Sequence, residues 1–201
     1  FHRHFSCQQI DFHLVHAGGC CADLLHPGKQ QFTVTEIREA SPTSTTYRFS
    51  PVNGHVPVFQ SGQYANFYLT VGSSVLTRAY SISSAPYEAR LPEPYFEVTV
   101  RHNTHYLVPD WFLENVKVGT EITAALPFGH FFYEPLRDSD HIVGIAGGSG
   151  ITPFLSMAQA IADGTEDFDL TILFGSRTKE QILFKEELDE LAAKCDKIHV
   201  V

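Results

Sequence analysis

The fold is decided by one stretch of the sequence, Ile145-Ala146-Gly147-Gly148-Ser149-Gly150-Ile151-Thr152-Pro153. An apolar run at 141–146 precedes the glycines, and an amphipathic segment at 151–162 follows them. This order predicts a strand, a tight loop and a helix. Glycines let the backbone approach a ligand closely, and the start of a helix offers free N–H groups to an anion. The stretch favours nucleotide binding, but a turn from strand to helix can also use glycines for packing alone.

The residues after this loop continue to alternate between helix and strand. Apolar strands that alternate with helices predict a parallel sheet with helices on its faces. The strands are predicted at 141–146, 169–174 and 198–201, and the helices at 151–162 and 184–194. Because only three such strands are present and the last apolar run has no terminator, we expect a truncated sheet and a fragment of a longer protein.

The residues before 137 follow a different pattern. Short segments rich in Val, Thr, Tyr and Phe are separated by Pro, Gly and Asn, which is typical of a β-sandwich or barrel. Strands are predicted at 32–40, 45–52, 63–71, 77–84, 95–102 and 121–126, with one short helix at 109–115. We expect an N-terminal extension of unknown role at 1–30, an antiparallel barrel at 31–136, and the first half of a nucleotide-binding α/β domain at 137–201.

The composition argues against several classes of function. The formal net charge is −9 and no run is rich in Lys or Arg, so neither a nucleic-acid partner nor an anionic membrane is expected. No apolar run approaches the ~20 residues of a membrane span, and no leader opens the chain, so we expect a soluble cytoplasmic protein. The cysteines, and the histidines scattered through 1–30, lack the spacings of metal ligands, so no metal site is predicted.

Four short motifs give a resemblance to a known family. They are Ser61-Gly62-Gln63-Tyr64, Arg78-Ala79-Tyr80-Ser81, Pro127-Phe128-Gly129-His130-Phe131 and Gly147-Gly148-Ser149-Gly150-Ile151-Thr152-Pro153. In this order they resemble the G-Q-[YF], R-x-Y-S, P-x-G-x-F and G-G-[ST]-G-[IV]-[TA]-P motifs of the ferredoxin–NADP reductase superfamily. The resemblance covers about residues 32–201. It implies a six-stranded antiparallel flavin-binding barrel, followed by a parallel Rossmann-like sheet that binds NAD(P).

The second motif contains the residue types that a flavin site needs. A flavin carries an anionic phosphate, a flat π-system and a reactive N5 atom. The resemblance implies that Arg78 binds the phosphate, that the ring of Tyr80 stacks on the flavin, and that the Ser81 hydroxyl lies near N5. Arg78 and Tyr80 are two residues apart on a predicted strand, so their side chains share a face. The alternative is that they merely share an exposed face and bind no ligand.

The region expected to bind the flavin pyrophosphate departs from the family pattern. Relatives that bind FAD have a Gly-x-x-Ser at the start of the short helix, whereas Asp110 stands near the expected serine here. A carboxylate beside a phosphate is unfavourable unless a cation intervenes. Either Arg101, His102 or His105 compensates, or Asp110 caps the helix and points away. FAD remains the expected cofactor, and FMN is the less favoured alternative.

The glycine loop and the end of the next strand are the expected NAD(P)H site. The resemblance assigns Gly147, Gly148, Gly150 and Thr152 to this site. An Arg at the end of the second strand of a dinucleotide fold can accept the 2′-phosphate of NADPH. Ser176 and Arg177 lie there and favour NADPH, although relatives that use NADH can also carry this Arg.

The resemblance implies a flavin-dependent oxidoreductase that takes a hydride from NADPH or NADH. It would pass single electrons to an acceptor protein or domain such as a ferredoxin, a haem protein or an oxygenase, and any iron–sulfur cluster would lie outside this sequence. The protein supplies binding and orientation, so no proton-transfer residue is predicted. Two alternatives stay open: an electron-transfer subunit of a larger complex, of dihydroorotate dehydrogenase or sulfhydrogenase type, and a non-catalytic module without the cofactor.

Overall fold

The computed structural model describes residues 28–102 and 107–201. Within them the first six strands are β1 (Gln30–Ser41), β2 (Ser44–Pro51), β3 (Tyr64–Val71), β4 (Ser74–Ser81), β5 (Phe96–Arg101) and β6 (Glu121–Phe128). They form one antiparallel sheet in the order β4-β3-β6-β1-β2-β5. A bridge between Ile82 and Val98 joins its two edges, so the sheet closes into a barrel.

Aromatic side chains fill the inside of the barrel. Phe49 and Phe67 are fully buried, and their ring centroids lie 5.0 Å apart. Helix α1 (Leu107–Asn115) closes one end, where Phe112 lies edge-on to Phe67. Burying each such ring contributes roughly 1.5–3 kcal/mol relative to an exposed position. Phe112 also contacts Tyr80, so the barrel core fixes the strand that carries a candidate site residue.

The second sheet is parallel. Its strands are β7 (His141–Gly147), β8 (Asp169–Gly175) and β9 (Ile198–Val200), and its helices are α2 (Thr152–Ala162) and α3 (Lys185–Lys194). The strands lie in the order in which they occur in the chain, and a hydrophobic core separate from that of the barrel joins them to both helices.

Helices α2 and α3 pack on the same face of this sheet. A Cβ atom at Gly144 would lie 2.4 Å from the ring of Phe154, so this close packing of α2 requires glycine. On the opposite face Val143 and Ile145 are 55% and 78% exposed. The sequence predicted helices on the faces of the sheet, and the described residues place them on one face.

The predicted elements agree with the observed ones in type and order, and differ from them at their ends. The strand predicted at 77–84 is β4 at Ser74–Ser81, and the helix predicted at 109–115 starts at Leu107. The fold class, an antiparallel barrel followed by a Rossmann-like parallel sheet, is confirmed. The division of the chain after residues 30 and 136 stays a prediction.

Several expectations concern residues outside the described part of the chain. The extension predicted at 1–30, with its histidines and cysteines, lies almost wholly there, as does His105. Among the described residues no group of three or more His, Cys, Asp and Glu side chains is arranged to hold a metal ion. Every helix that the structure describes is too short or too polar to cross a lipid bilayer.

Two hydrogen bonds from buried serines join the barrel to the parallel sheet and its helices. In the loop before β3, the Ser61 hydroxyl donates to the Glu166 carboxylate, with Oγ 2.7 Å from Oε2. Burial raises the pKa of the Glu166 carboxyl, and the hydrogen bonds from Ser61 oppose that shift. On α2, the Ser156 hydroxyl donates to the backbone oxygen of Ser84 at 2.6 Å. The Ser156 bond holds α2, and with it the glycine loop, in a defined position relative to the barrel, whereas the Ser61 bond lies at the opposite end of the parallel strands.

Candidate functional site

The glycine loop joins the carboxyl end of β7 to the amino end of α2. The strand ends at Gly147, a single 3-10 turn spans Gly148–Ile151, and α2 begins at Thr152. Gly148 has φ +54°, a left-handed conformation that side chains with a Cβ atom adopt at a cost. The buried hydroxyl of Thr152 donates to the backbone oxygen of Ser149 at 3.0 Å, so Thr152 stabilises the loop from within.

The end of β8 lies directly beside this loop. Gly147 and Gly175 are partners in the parallel ladder, so Ser176 and Arg177 emerge at the same edge of the sheet as the glycines. Ligands of doubly wound sheets bind at this edge, where the strands present their carboxyl ends. A cavity of about 320 Å³ lies here, which we call the loop cavity. It is lined by Thr43, Arg101, Gly147, Gly148, Ser149, Gly175, Ser176, Arg177, Gln181 and Leu183.

The loop cavity brings together four of the predicted NAD(P)H residues: Gly147, Gly148, Ser176 and Arg177. The other two, Gly150 and Thr152, belong to the same loop but are not among the residues that line the cavity. A Cβ atom added to Gly147 would meet no protein atom within 4 Å, so packing within the protein does not require glycine there. The open space in front of Gly147 is available for close approach of a ligand.

The charge of the loop cavity is positive. Arg101 and Arg177 line it, and none of its lining residues carries a carboxylate. Within residues 28–102 and 107–201, neither guanidinium has a carboxylate oxygen within 4.0 Å. The Nη1 atom of Arg101 lies 2.9 Å from the position that a Cβ atom on Gly148 would take. The cavity is therefore suited to an anionic ligand held at the loop backbone.

Arg101 was considered from the sequence as a partner for the flavin pyrophosphate, and the structure places it in the loop cavity. The residue ends β5, so a barrel strand contributes a cation to the site at the parallel sheet. Thr43, from the turn between β1 and β2, reaches the same cavity. Neither residue was predicted to line it, because no local motif signals a contact between strands so far apart in sequence. His102 has a different partner, since its Nε2 atom lies 2.7 Å from the hydroxyl of Thr45.

The second cavity lies beside β4, and we call it the strand cavity. It has a volume of about 250 Å³. Its lining residues come from the R-x-Y-S strand and the amino end of α1: Arg78, Ala79, Tyr80, Leu107, Val108 and Pro109. The structure thus brings Arg78 and Tyr80 to one cavity, whereas Ser81, half-buried at the end of β4, is not among the lining residues.

Tyr80 combines a partly buried ring with a protonated hydroxyl. Its ring lies edge-on to Phe67 and Phe112, with centroids 5.8 and 5.5 Å away. Burial raises the pKa of Tyr80 to about 12, while the nearby charge of Arg78 acts in the opposite direction. The phenol therefore stays neutral at physiological pH and can donate a hydrogen bond. The core holds this ring at the edge of the strand cavity.

The residues of the strand cavity fit a flavin phosphate and ring. Within the described residues, the exposed guanidinium of Arg78 makes one hydrogen bond, from Nη1 to the backbone oxygen of Thr77 at 2.8 Å, and so has donors left for a phosphate. The amino end of α1 lies at the same cavity and adds the positive end of a helix dipole. Asp110 is in the first turn of α1 and is not among the lining residues, which agrees with the interpretation that it points away.

Comparison with known proteins places the chain among flavin and NAD(P) oxidoreductases. Residues 145–201 match the family described as "Oxidoreductase NAD-binding domain". The chain is 30% identical, over 146 residues, to the glycine betaine monooxygenase reductase subunit of Chromohalobacter salexigens, a match that covers 71% of this chain and 38% of that protein. It is 31% identical, over 162 residues, to ferredoxin–NADP reductase B of Sorangium cellulosum, which covers 81% and 64%.

A solved structure supports the same relationship. The fold is similar to the flavohem-like FAD/NAD binding domain of nitric oxide dioxygenase from Vibrio cholerae, with a TM-score of 0.73 and 25% identity. That match covers 85% of this chain and 71% of the solved one. The chain spans 38% and 64% of the lengths of the two curated relatives above, so it corresponds to only part of each.

Proposed function

Because this chain belongs to the ferredoxin–NADP reductase superfamily of oxidoreductases, we propose that it takes a hydride from NAD(P)H onto a bound flavin and passes single electrons to a partner. The observation that carries this proposal is the loop cavity. Two guanidinium groups and the glycine-loop backbone face a space without carboxylates, at the carboxyl ends of β7 and β8. A dinucleotide carries a pyrophosphate that matches this arrangement.

The two arginines of the loop cavity have separate roles in this proposal. Arg101 lies against Gly148, where the loop backbone turns, and binds the pyrophosphate. Arg177 and Ser176 follow the end of β8 and bind the 2′-phosphate, so NADPH is preferred over NADH. Gly150 and Thr152 shape the loop that presents these groups.

The strand cavity holds the flavin in the same proposal, with FAD favoured over FMN. Arg78 binds its phosphate, Tyr80 stacks on its ring, and Ser81 lies near N5. A bound flavin supplies the conversion of one hydride into two single-electron transfers. The protein binds and orients the two cofactors, and no side chain of the chain is assigned a proton-transfer step.

The acceptor in this proposal is an iron–sulfur or haem centre on another protein or domain. Of the two curated relatives, the Chromohalobacter protein is named as the reductase subunit of a monooxygenase, and the Sorangium protein is named as a ferredoxin–NADP reductase. An electron-transfer subunit within a larger complex is the alternative, and mass spectrometry of the native assembly separates it from a free reductase. A cytoplasmic location stays a prediction from the sequence.

The test is made on the purified full-length protein. We expect one flavin per chain, released and identified after denaturation, and oxidation of NADPH or NADH when ferricyanide is supplied as a one-electron acceptor. Iron–sulfur or haem proteins then replace ferricyanide to identify the class of acceptor. A protein that carries no flavin, or one that oxidises neither coenzyme, would be the non-catalytic module and would contradict the proposal.

A further inference from the structure

The hydrogen bond between Ser156 and Ser84 joins the two candidate cofactor sites. Ser156 is 0% exposed and Ser84 is 1% exposed, so water has no access to replace the bond. The Ser156 hydroxyl lies 2.6 Å from the backbone oxygen of Ser84. Ser156 is one helical turn after Thr152, and Ser84 is three residues after Ser81. The bond therefore links the end of the glycine loop to the segment that follows β4 over a short path.

The barrel fixes the position of Ser84, whose backbone oxygen accepts this hydrogen bond. Ser84 accepts a hydrogen bond on its hydroxyl from the backbone N–H of Glu97 at 3.0 Å, so β5 fixes it. The neighbouring residue is fixed in the same way, since the Ser83 N–H donates to the Glu97 carbonyl at 2.8 Å. Ile82 forms the bridge to Val98 that closes the barrel. The carbonyl that Ser156 binds thus has a defined position relative to β4.

The parallel sheet fixes the position of α2, which carries the donor Ser156. Leu155 and Met157, which flank Ser156 on α2, are buried in the core that α2 shares with β8. At the start of the same helix, Thr152 closes the loop on Ser149. A shift of α2 relative to Ser84 would therefore move the glycine loop as one piece with the helix.

We propose that Ser156 is a positioning residue for hydride transfer, acting through its hydrogen bond to Ser84. The bond sets the distance between the coenzyme held at the glycine loop and the flavin held at β4. Hydride transfer needs reacting atoms about 3–3.5 Å apart, and a displacement of about 1 Å can cost about a hundredfold in rate. This inference rests on the proposed function.

Ser61 offers a matched comparison. Its hydroxyl also joins the barrel to the segment before β8 of the parallel sheet, by donating to the Glu166 carboxylate. Glu166 precedes β8, at the amino end of the strands, whereas the glycine loop lies at their carboxyl ends. The Ser61 bond therefore contributes to docking of the two units at a place remote from the coenzyme. Loss of either bond lowers stability, but only loss of the Ser156 bond changes the distance between the cofactors.

The experiment measures anaerobic flavin reduction by stopped flow in the full-length protein and in the variants Ser156→Ala and Ser61→Ala. For Ser156→Ala we expect a reduction rate at saturating coenzyme about ten to a hundred times lower. We also expect an unchanged coenzyme Kd and a weaker charge-transfer band, the spectroscopic sign of nicotinamide stacked on flavin. For Ser61→Ala we expect a lower Tm and a reduction rate within about twofold of the parent.

Each remaining outcome also decides the matter. Equal rates in the parent and Ser156→Ala, or equal losses in the two variants, would overturn the positioning role alone. A parent whose flavin neither coenzyme reduces overturns the proposed function and, with it, this inference. If Ser156→Ala fails to fold, Ser156→Cys keeps a weak donor of similar size, and we expect it to be several-fold slower than the parent. A parental rate and charge-transfer band in Ser156→Cys would then overturn the inference.

Discussion

The loop cavity and the strand cavity are similar in size but are built differently. In the loop cavity, the backbone at Gly147 and Gly148 lies in front of open space, and two arginines from distant segments flank it. In the strand cavity, the polar groups come from the side chains of one strand, Arg78 and Tyr80, and the helix start contributes an apolar rim of Leu107, Val108 and Pro109.

Because of this difference, binding at the two cavities should respond to opposite kinds of substitution. Binding at the loop cavity requires positions without a side chain, so adding one methyl group should weaken it. Binding at the strand cavity requires particular side chains, so removing one should weaken it.

Removal of Arg78 should have the largest effect. We expect Arg78→Ala to weaken flavin binding about a hundredfold, because it removes the charge-assisted hydrogen bonds to the flavin phosphate, each about 1.5–3 kcal/mol. The fold should persist, since the only hydrogen bond that Arg78 makes within the described residues is to the carbonyl of Thr77. Flavin dissociation is measured by fluorescence. Arg90→Ala, an exposed arginine outside both cavities, is the control, and an equal loss there would contradict the assignment.

A methyl group at each loop glycine should distinguish folding from binding. Gly148→Ala places a Cβ atom at φ +54° and 2.9 Å from Arg101 Nη1, so it should cost about 1–2 kcal/mol of stability and also weaken coenzyme binding. Gly147→Ala has no protein atom within 4 Å of the new Cβ atom and should leave the Tm unchanged. We nevertheless expect it to weaken NAD(P)H binding about tenfold. Parental coenzyme affinity in Gly147→Ala would mean that this glycine faces no ligand.

The sequence predicted two residues of the strand cavity, Arg78 and Tyr80, and the glycines of the loop. It did not predict the barrel residues that line the loop cavity beside those glycines. The R-x-Y-S residues and the glycines each lie in one short stretch of the chain, so their resemblance to the family motifs was enough to locate them. Arg101, at the end of β5, and Thr43, in the turn between β1 and β2, reach the loop cavity from parts of the barrel far away in sequence, and no local pattern signals that contact. The same holds for Ser156, whose helical spacing indicates only a buried position and not its bond to Ser84.

Coenzyme selectivity should depend on Arg177. Arg177→Ala removes the cation proposed for the 2′-phosphate, so the Kd for NADPH should rise about tenfold while that for NADH changes little. Lys179→Ala, an exposed lysine outside the cavity, is the matched control. The two coenzymes are compared by titration of the same preparation. An unchanged ratio of the two Kd values would exclude the 2′-phosphate role.

Tyr80, in the strand cavity, should also make the free energy of unfolding depend modestly on pH in the alkaline range. Burial raises the pKa of Tyr80 from 10.0 to about 12, so folding favours the neutral phenol. The resulting stability is present below about pH 10 and is lost as the pH rises through 12. In Tyr80→Phe the decrease in the free energy of unfolding over this range should be smaller than in the parent. Tyr87→Phe, at a tyrosine that is 51% exposed, should not change the slope, and an equal change in both variants would contradict the assignment.

In the proposed function, the loop cavity and the strand cavity act as one site for hydride transfer. The most direct measurement is an anaerobic titration of the flavin-loaded full-length protein with NADPH and, separately, with NADH, followed by the visible absorption of the flavin. We expect one equivalent of coenzyme per flavin to bleach this band, with NADPH effective at the lower concentration. A flavin band that neither coenzyme bleaches would contradict it.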